Sequence, residues 1–337
     1  MGRLFEHGAS ASPPCFYLYF GVDLVERPII GREEWAPISC ASRAAYGCGE
    51  HEQVMLEGLT LLARFDDTVA SLCIRDEGQA LRIIRMELGA GDGEPLVPVV
   101  SSGIFAHAEV VTAHDGSIVF LIMFSFEVMF SFEVSEDRFY FLVYDARAKS
   151  LAMVPAMSPY RAAYRAQLAA PVRGDGGDND YELVVQAGLV RPDPATPGDL
   201  IHHGTLCVFT PMAGIAPWQS KELRFLAGHA REPAAFSPYV AFLFKGQAFL
   251  VDLALGAARY DLYAAAGHSD VDCDFIGLPR GHSYDVEEDP DIWLPNTFRT
   301  MCGVRDAVRY ISINYAGEVG GRTVAVWTLD LEQKLWT

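Results

Sequence analysis

The chain has 337 residues, a formal net charge of -18, half of its residues hydrophobic and 12% of them aromatic. That balance supplies a sizeable core and excludes global disorder. It also argues against nucleic acid and anionic membranes as partners, because phosphate is bound by neutralising it with Lys and Arg.

Such a length holds two ordinary domains or one large all-β domain. Cysteines stand at Cys15, Cys40, Cys48, Cys73, Cys207, Cys273 and Cys302, scattered and without a Cys-x-x-Cys pair. That pattern fits reduced thiols in a cytoplasmic or nuclear protein rather than a secreted disulfide scaffold.

Residues 1–14 are small and polar with two prolines. They read as a disordered lead-in, without the apolar stretch of a signal peptide. From Cys15 to the end the texture is β, one domain over 15–337 built of strand-length apolar runs bounded by Gly, Asp, Pro and Ser. Four turns are alike. Asp76-Glu77-Gly78 leads to a strand over 79–84, and His114-Asp115-Gly116 leads to one over 117–120. His202-His203-Gly204 leads to 205–209, and Lys245-Gly246 leads to 247–251. In each, Gly stands where a hairpin needs positive φ. Arg305-Asp306-Ala307 is a fifth turn of the kind.

These glycines recur at roughly 40 residues or its double, the period of propeller blades of about four antiparallel strands. Dividing the chain by that period favours about six blades, with five to seven fitting. A pair of unrelated β-sandwiches is the competing architecture. Helical periodicity is weak, and 159–169 is the best stretch for a short helix.

The apolar segment 118–134 is too short to cross a membrane as a helix and is interrupted by Glu127 and Glu133. Within it Met123-Phe124-Ser125-Phe126-Glu127-Val128 is repeated at once as 129–134. The repeat is even in length, so strand parity survives it. The expected result is one overlong strand, or a strand that folds over near Glu127.

An acidic insertion is expected over 268–295, carrying His268, Asp270, Asp272, Asp274, His282, Asp285, Glu287, Glu288, Asp289 and Asp291. Alternate carboxylates at 270, 272 and 274 could face a hard cation, but the mid-loop Gly and terminal Glu of a calcium loop are missing, which favours a solvated acidic loop. His202 and His203 are neighbours in a strand, so they point to opposite faces and make a poor shared metal site. Gly89 to Gly93 is followed by Glu94-Pro95, which cannot open the helix a phosphate loop needs. Gly174 to Asp180 reads as a polar connector between blades. His107, His114 and His229 carry no ligand spacing. Trp218, Trp327 and Trp336 read as packing, and a ligand platform is conceivable only at Trp35 or Trp293, both in loops. No catalytic, cofactor-binding or metal-binding residue is assigned.

Trp218-Gln219-Ser220-Lys221-Glu222-Leu223 resembles the W-x-x-K-x-L segment of a large plant family, domain of unknown function 1618 (DUF1618), expanded in grasses. Phe236 to Phe242 followed by Gly246-Gln247-Ala248-Phe249-Leu250-Val251-Asp252-Leu253 looks like that family's V-x-F-x-G-x-A-F-W-V-D-L element, with Leu250 where the family often has Trp. Gly256 to Leu262 matches its G-x-x-x-x-D-L continuation. Gly303-Val304, Tyr310 to Ile313 and Val326 to Leu329 resemble its closing pattern, with Ala307 near the usual turn Gly. The likeness covers about 181–337. It implies a propeller-like fold and brings no established activity. The expectation is a non-catalytic protein-interaction module in the cytoplasm or nucleus, without a cofactor. Its surface falls on the connectors 191–198 and 268–295, and its partner is another protein rather than nucleic acid or membrane. The alternative is a propeller hydrolase with a metal or His/Asp site at the channel mouth.

Overall fold

A computed structural model of the protein describes residues 17–18, 21–25, 35–47, 49–65, 69–76, 83, 104–114, 116–126, 138–155, 168–173, 181–192, 200–210, 218–225, 236, 238, 240–266, 271–282, 298–316 and 321–337. The chain divides into two compact units, one of Met1–Ser158 with Pro211–Ile215 and one of Pro159–Thr210 with Ala216–Thr337.

In the first unit the strands are β1 (Tyr17–Leu18), β2 (Gly21–Val25), β3 (Ala36–Pro37), β4 (Ser42–Ala45), β5 (Leu59–Phe65), β6 (Val69–Asp76), β7 (Ile104–His114), β8 (Ser117–Phe126), β9 (Arg138–Asp145) and β10 (Ser150–Pro155). They pair in the order β3-β5-β6-β2-β7-β8-β9-β10-β4, with β1 also on β6. Strand β2 changes partner halfway: residues 21–23 run antiparallel to β7, and Leu24 and Val25 run parallel to β6. Strands β7 to β10 form an antiparallel meander. Its β8 is buried on both faces, with Val119, Phe120, Leu121 and Ile122 all inside, as a continuous apolar run requires.

One helix, α1 (Glu50–Gly58), packs Met55 and Leu56 into this core beside Leu61, Ile74, Phe120 and Leu142. Glu50 and Glu52 lie in its first turn, where the N-terminal dipole favours them. At its other end the Arg43 guanidinium, from β4, donates to the carbonyls of Leu56, Glu57 and Leu59. That meets acceptors which a helix leaves open at its C-terminus.

Among its described residues the second unit contains three consecutive antiparallel meanders. The first is β11 (Leu168–Arg173), β12 (Tyr181–Pro192), β13 (Leu200–Phe209) and β14 (Trp218–Phe225). The second is β15 (Val240–Phe244), β16 (Gln247–Asp252), β17 (Gly256–Asp261) and β18 (Val271–Gly277), with the short helix α2 (Leu262–Ala266) between the last two. The third is β19 (Arg299–Val304), β20 (Ala307–Ala316), β21 (Gly321–Asp330) and β22 (Leu335–Trp336). Strand β14 turns from β13 to run parallel to β18, which joins the first two sheets.

The middle sheet faces two cores. On β16, Ala248 and Leu250 point toward Leu206, Val208 and Ala170, while Phe249 and Val251 point toward Met301, Val308 and Tyr310. Period-two alternation puts successive side chains on opposite faces, so a strand buried on both sides reads as unbroken apolar sequence.

The expected all-β class is present, as small antiparallel sheets of three to five strands. No closed ring of blades is detected among the described residues. Three expected hairpins stand where sequence puts them: Gly116 at φ 78° between β7 and β8, Lys245-Gly246 between β15 and β16, and Arg305-Asp306 between β19 and β20. Each joins the first two strands of its meander.

Other expectations fail. Gly204 is no turn: it lies inside β13, directly opposite Gly188 of β12. Two facing glycines lie in the ladder there, and the chain reverses between Pro192 and Leu200 instead. The stretch 174–180 links β11 to β12 of the same sheet, since Arg173 pairs with Tyr181, and does not separate blades. The expected insertion contains β18, so the early part of that acidic stretch is a strand. Ile83 is helical and buried, which breaks the expected strand over 79–84, and Leu168 and Ala169 of the expected helix belong to β11. Meanders start at Ile104, Leu168, Val240 and Arg299, a wider spacing than the turn glycines implied. Gly78, the phosphate-loop look-alike 89–93, the lead-in 1–14 and the second hexapeptide copy lie outside the described residues.

A repeat that spacing did not reveal is an aspartate turn. Asp145, Asp252 and Asp330 each end a strand, and each Oδ1 accepts the N–H groups of the residues two and three further on. Two of these turns close with a lysine at positive φ, Lys149 and Lys334, and the third closes with Gly256. The side chain thus substitutes for missing backbone acceptors at the tightest point of each turn.

Candidate functional site

The charged and aromatic side chains of the second unit concentrate where its last two sheets meet. Strand β18 alternates Val271 and Cys273 into the core with Asp272 and Asp274 outward. Asp274 is engaged from two sides. Arg259 of β17 donates from Nε and Nη2 to its Oδ2 at 3.2 and 3.0 Å, and Lys334, from the turn before β22, reaches Oδ1. Arg259 also donates to the Leu331 carbonyl at 3.3 Å. Partial burial alone would raise the Asp274 pKa, but the Lys334 and Arg259 contacts outweigh it and hold the carboxyl below its ordinary value. A carboxylate shared by two cations has little left for a metal, and Asp272 beside it points to solvent.

At the other side of the junction Arg299, at the start of β19, is buried and donates to the carbonyls of Leu253 and His282 at 3.0 and 2.8 Å. The His282 ring stands edge-on to Trp327, with centroids 4.4 Å apart, and to Tyr310 at 5.8 Å. Burial first, then the Arg299 charge, lowers its pKa, so the imidazole is neutral at neutral pH. Trp336 completes the cluster, packing on Tyr310 and donating its indole N–H to the Gly277 carbonyl at 2.7 Å. Arg299, His282, Tyr310, Trp327 and Trp336 therefore tie the last meander to the one before it through backbone carbonyls and ring edges. Trp327 and Trp336 are packing residues, as sequence suggested.

Lys221, in the segment that carries the family likeness, is buried on β14. Its Nζ donates to the Ala265 carbonyl in α2. The contact anchors the short helix over the sheet by meeting a carbonyl at its C-terminal end. Burial lowers the Lys221 pKa, and the Glu182 charge opposes that shift. Trp218, at the head of the same segment, packs on Phe209 with centroids 5.2 Å apart. Both residues hold the sheet together.

The other sequence candidates disperse. His202 and His203 sit in β13 opposite Val190 and Leu189. His114 is exposed at the end of β7. Trp35 carries the Arg64 guanidinium over its ring at 5.3 Å, so that face is occupied. Asp270, His268, His229, Trp293 and the acidic run 285–291 lie outside the described residues. Among the described residues no group of three His, Cys, Asp or Glu side chains could hold a metal ion, and no helix is long and apolar enough to cross a membrane. Cys40, Cys73, Cys207, Cys273 and Cys302 form no disulfide among the described residues. Burial, with Asp272 and Asp274 behind it, pushes the Cys273 pKa up to about 12, and burial pushes Cys207 to about 11, which leaves both inert as nucleophiles.

Sequence reading missed the cluster at His282, Arg299, Trp327 and Trp336, because its members come from four separate elements. No family model matches the chain, and no curated protein matches it.

Proposed function

We propose that this chain is a non-catalytic protein-interaction module, a propeller of about six blades of the plant DUF1618 kind. The observation that carries this reading is where the charges of the second unit go. Lys221, Arg259, Asp274 and Arg299 are spent on carbonyls and on one another. The sheets then act as a rigid frame, and recognition falls to the connectors between strands.

Consecutive four-stranded meanders support the propeller reading, since one blade is one such meander. The resemblance motifs fall on regular parts of the meanders: Trp218 to Leu223 within β14, the last strand of one, and Gly246 to Leu253 from the first hairpin of the next to its aspartate turn. The expected recognition surfaces narrow accordingly, from 268–295 to the acidic run after His282 and from 191–198 to the link between β12 and β13. Carboxylates at Asp285, Glu287, Glu288, Asp289 and Asp291 suit a basic protein surface.

The test replaces 283–297 with a neutral Gly-Ser linker and compares partners captured from plant tissue by mass spectrometry. Loss of specific partners, with the thermal midpoint unchanged, is the expected result. An unchanged partner set sinks the placement.

A further inference from the structure

No further inference is drawn: the strongest candidate, the outer face of the last sheet where Ile313, Val324 and Val326 stand exposed, carries nothing because nothing in the structure shows what covers it.

Discussion

Asp274→Asn tests how the last two meanders are held together. The substitution keeps shape and removes the charge that Arg259 and Lys334 share. A shielded hydrogen bond to a charged group contributes about 1.5–3 kcal/mol, and an exposed ion pair about 0.2–1 kcal/mol. The Arg259 side chain is 18% exposed and Asp274 21%, so their forked contact lies near the lower end of the first range. Lys334 is 43% exposed and belongs to the second. The expected cost of Asp274→Asn is therefore about 2 kcal/mol, against about 0.5 kcal/mol for Lys334→Met. Urea unfolding at low and high salt measures both. The salt-sensitive part should be the Lys334 share, because exposed pairs are screened.

A double-mutant cycle of Asp274→Asn with Arg259→Met should return a coupling of about 1 kcal/mol. The folded-state pKa of Asp274 is depressed, so its stabilisation is complete above the usual carboxylate pKa near about 4 and is lost as pH falls through the lower folded value. The Asn variant should lack that part of the acid transition. Additive single effects, or a loss under about 0.3 kcal/mol, would refute the assignment of Asp274 as the shared anchor.

Three further outcomes follow from the same geometry. Gly256→Ala should cost at least about 2 kcal/mol, because its Cβ would stand 2.4 Å from the Ile276 carbonyl oxygen at φ 152°; an unshifted chemical-denaturation midpoint would contradict this. Tyr260 is buried, and its hydroxyl has no hydrogen-bond partner among the described residues, so Tyr260→Phe should be neutral or stabilising by up to about 1 kcal/mol. A clear loss on thermal unfolding would reveal a bond to that hydroxyl. The His282 pKa is depressed in the fold, so its contribution is present above about 6.5 and is lost as pH drops through the lower folded value. The melting temperature should fall between pH 7 and 5 by more in the native chain than in His282→Phe, and identical pH slopes would overturn the claim.

Much of the β architecture was legible because its signals are local. At Gly116 and Gly246 the hairpin is written in two residues, and both adopt the positive φ that glycine permits. Gly204 shows the limit of that logic, since glycine also serves inside a strand, and only the pairing with Gly188 distinguishes the two uses. Strand β18 was readable in principle. Val271, Asp272, Cys273 and Asp274 alternate as a half-buried strand should, but the count of carboxylates drew the reading toward a loop. Helix α1 likewise carries acids in its first turn and Met55 four residues before Leu59, a signal too short to stand out against the strands around it.

What sequence alone determined is the class: alternating and continuous apolar runs closed by two-residue turns can bury themselves only as stacked antiparallel sheets. The meander boundaries and the staples between sheets were decided by tertiary structure. Asp274, Arg299, His282 and Trp336 acquire their roles from partners up to 60 residues away in the chain, such as Lys334. No local propensity records such distant contacts, because a carboxylate or an indole has the same residue type whether it faces water or closes a junction between sheets.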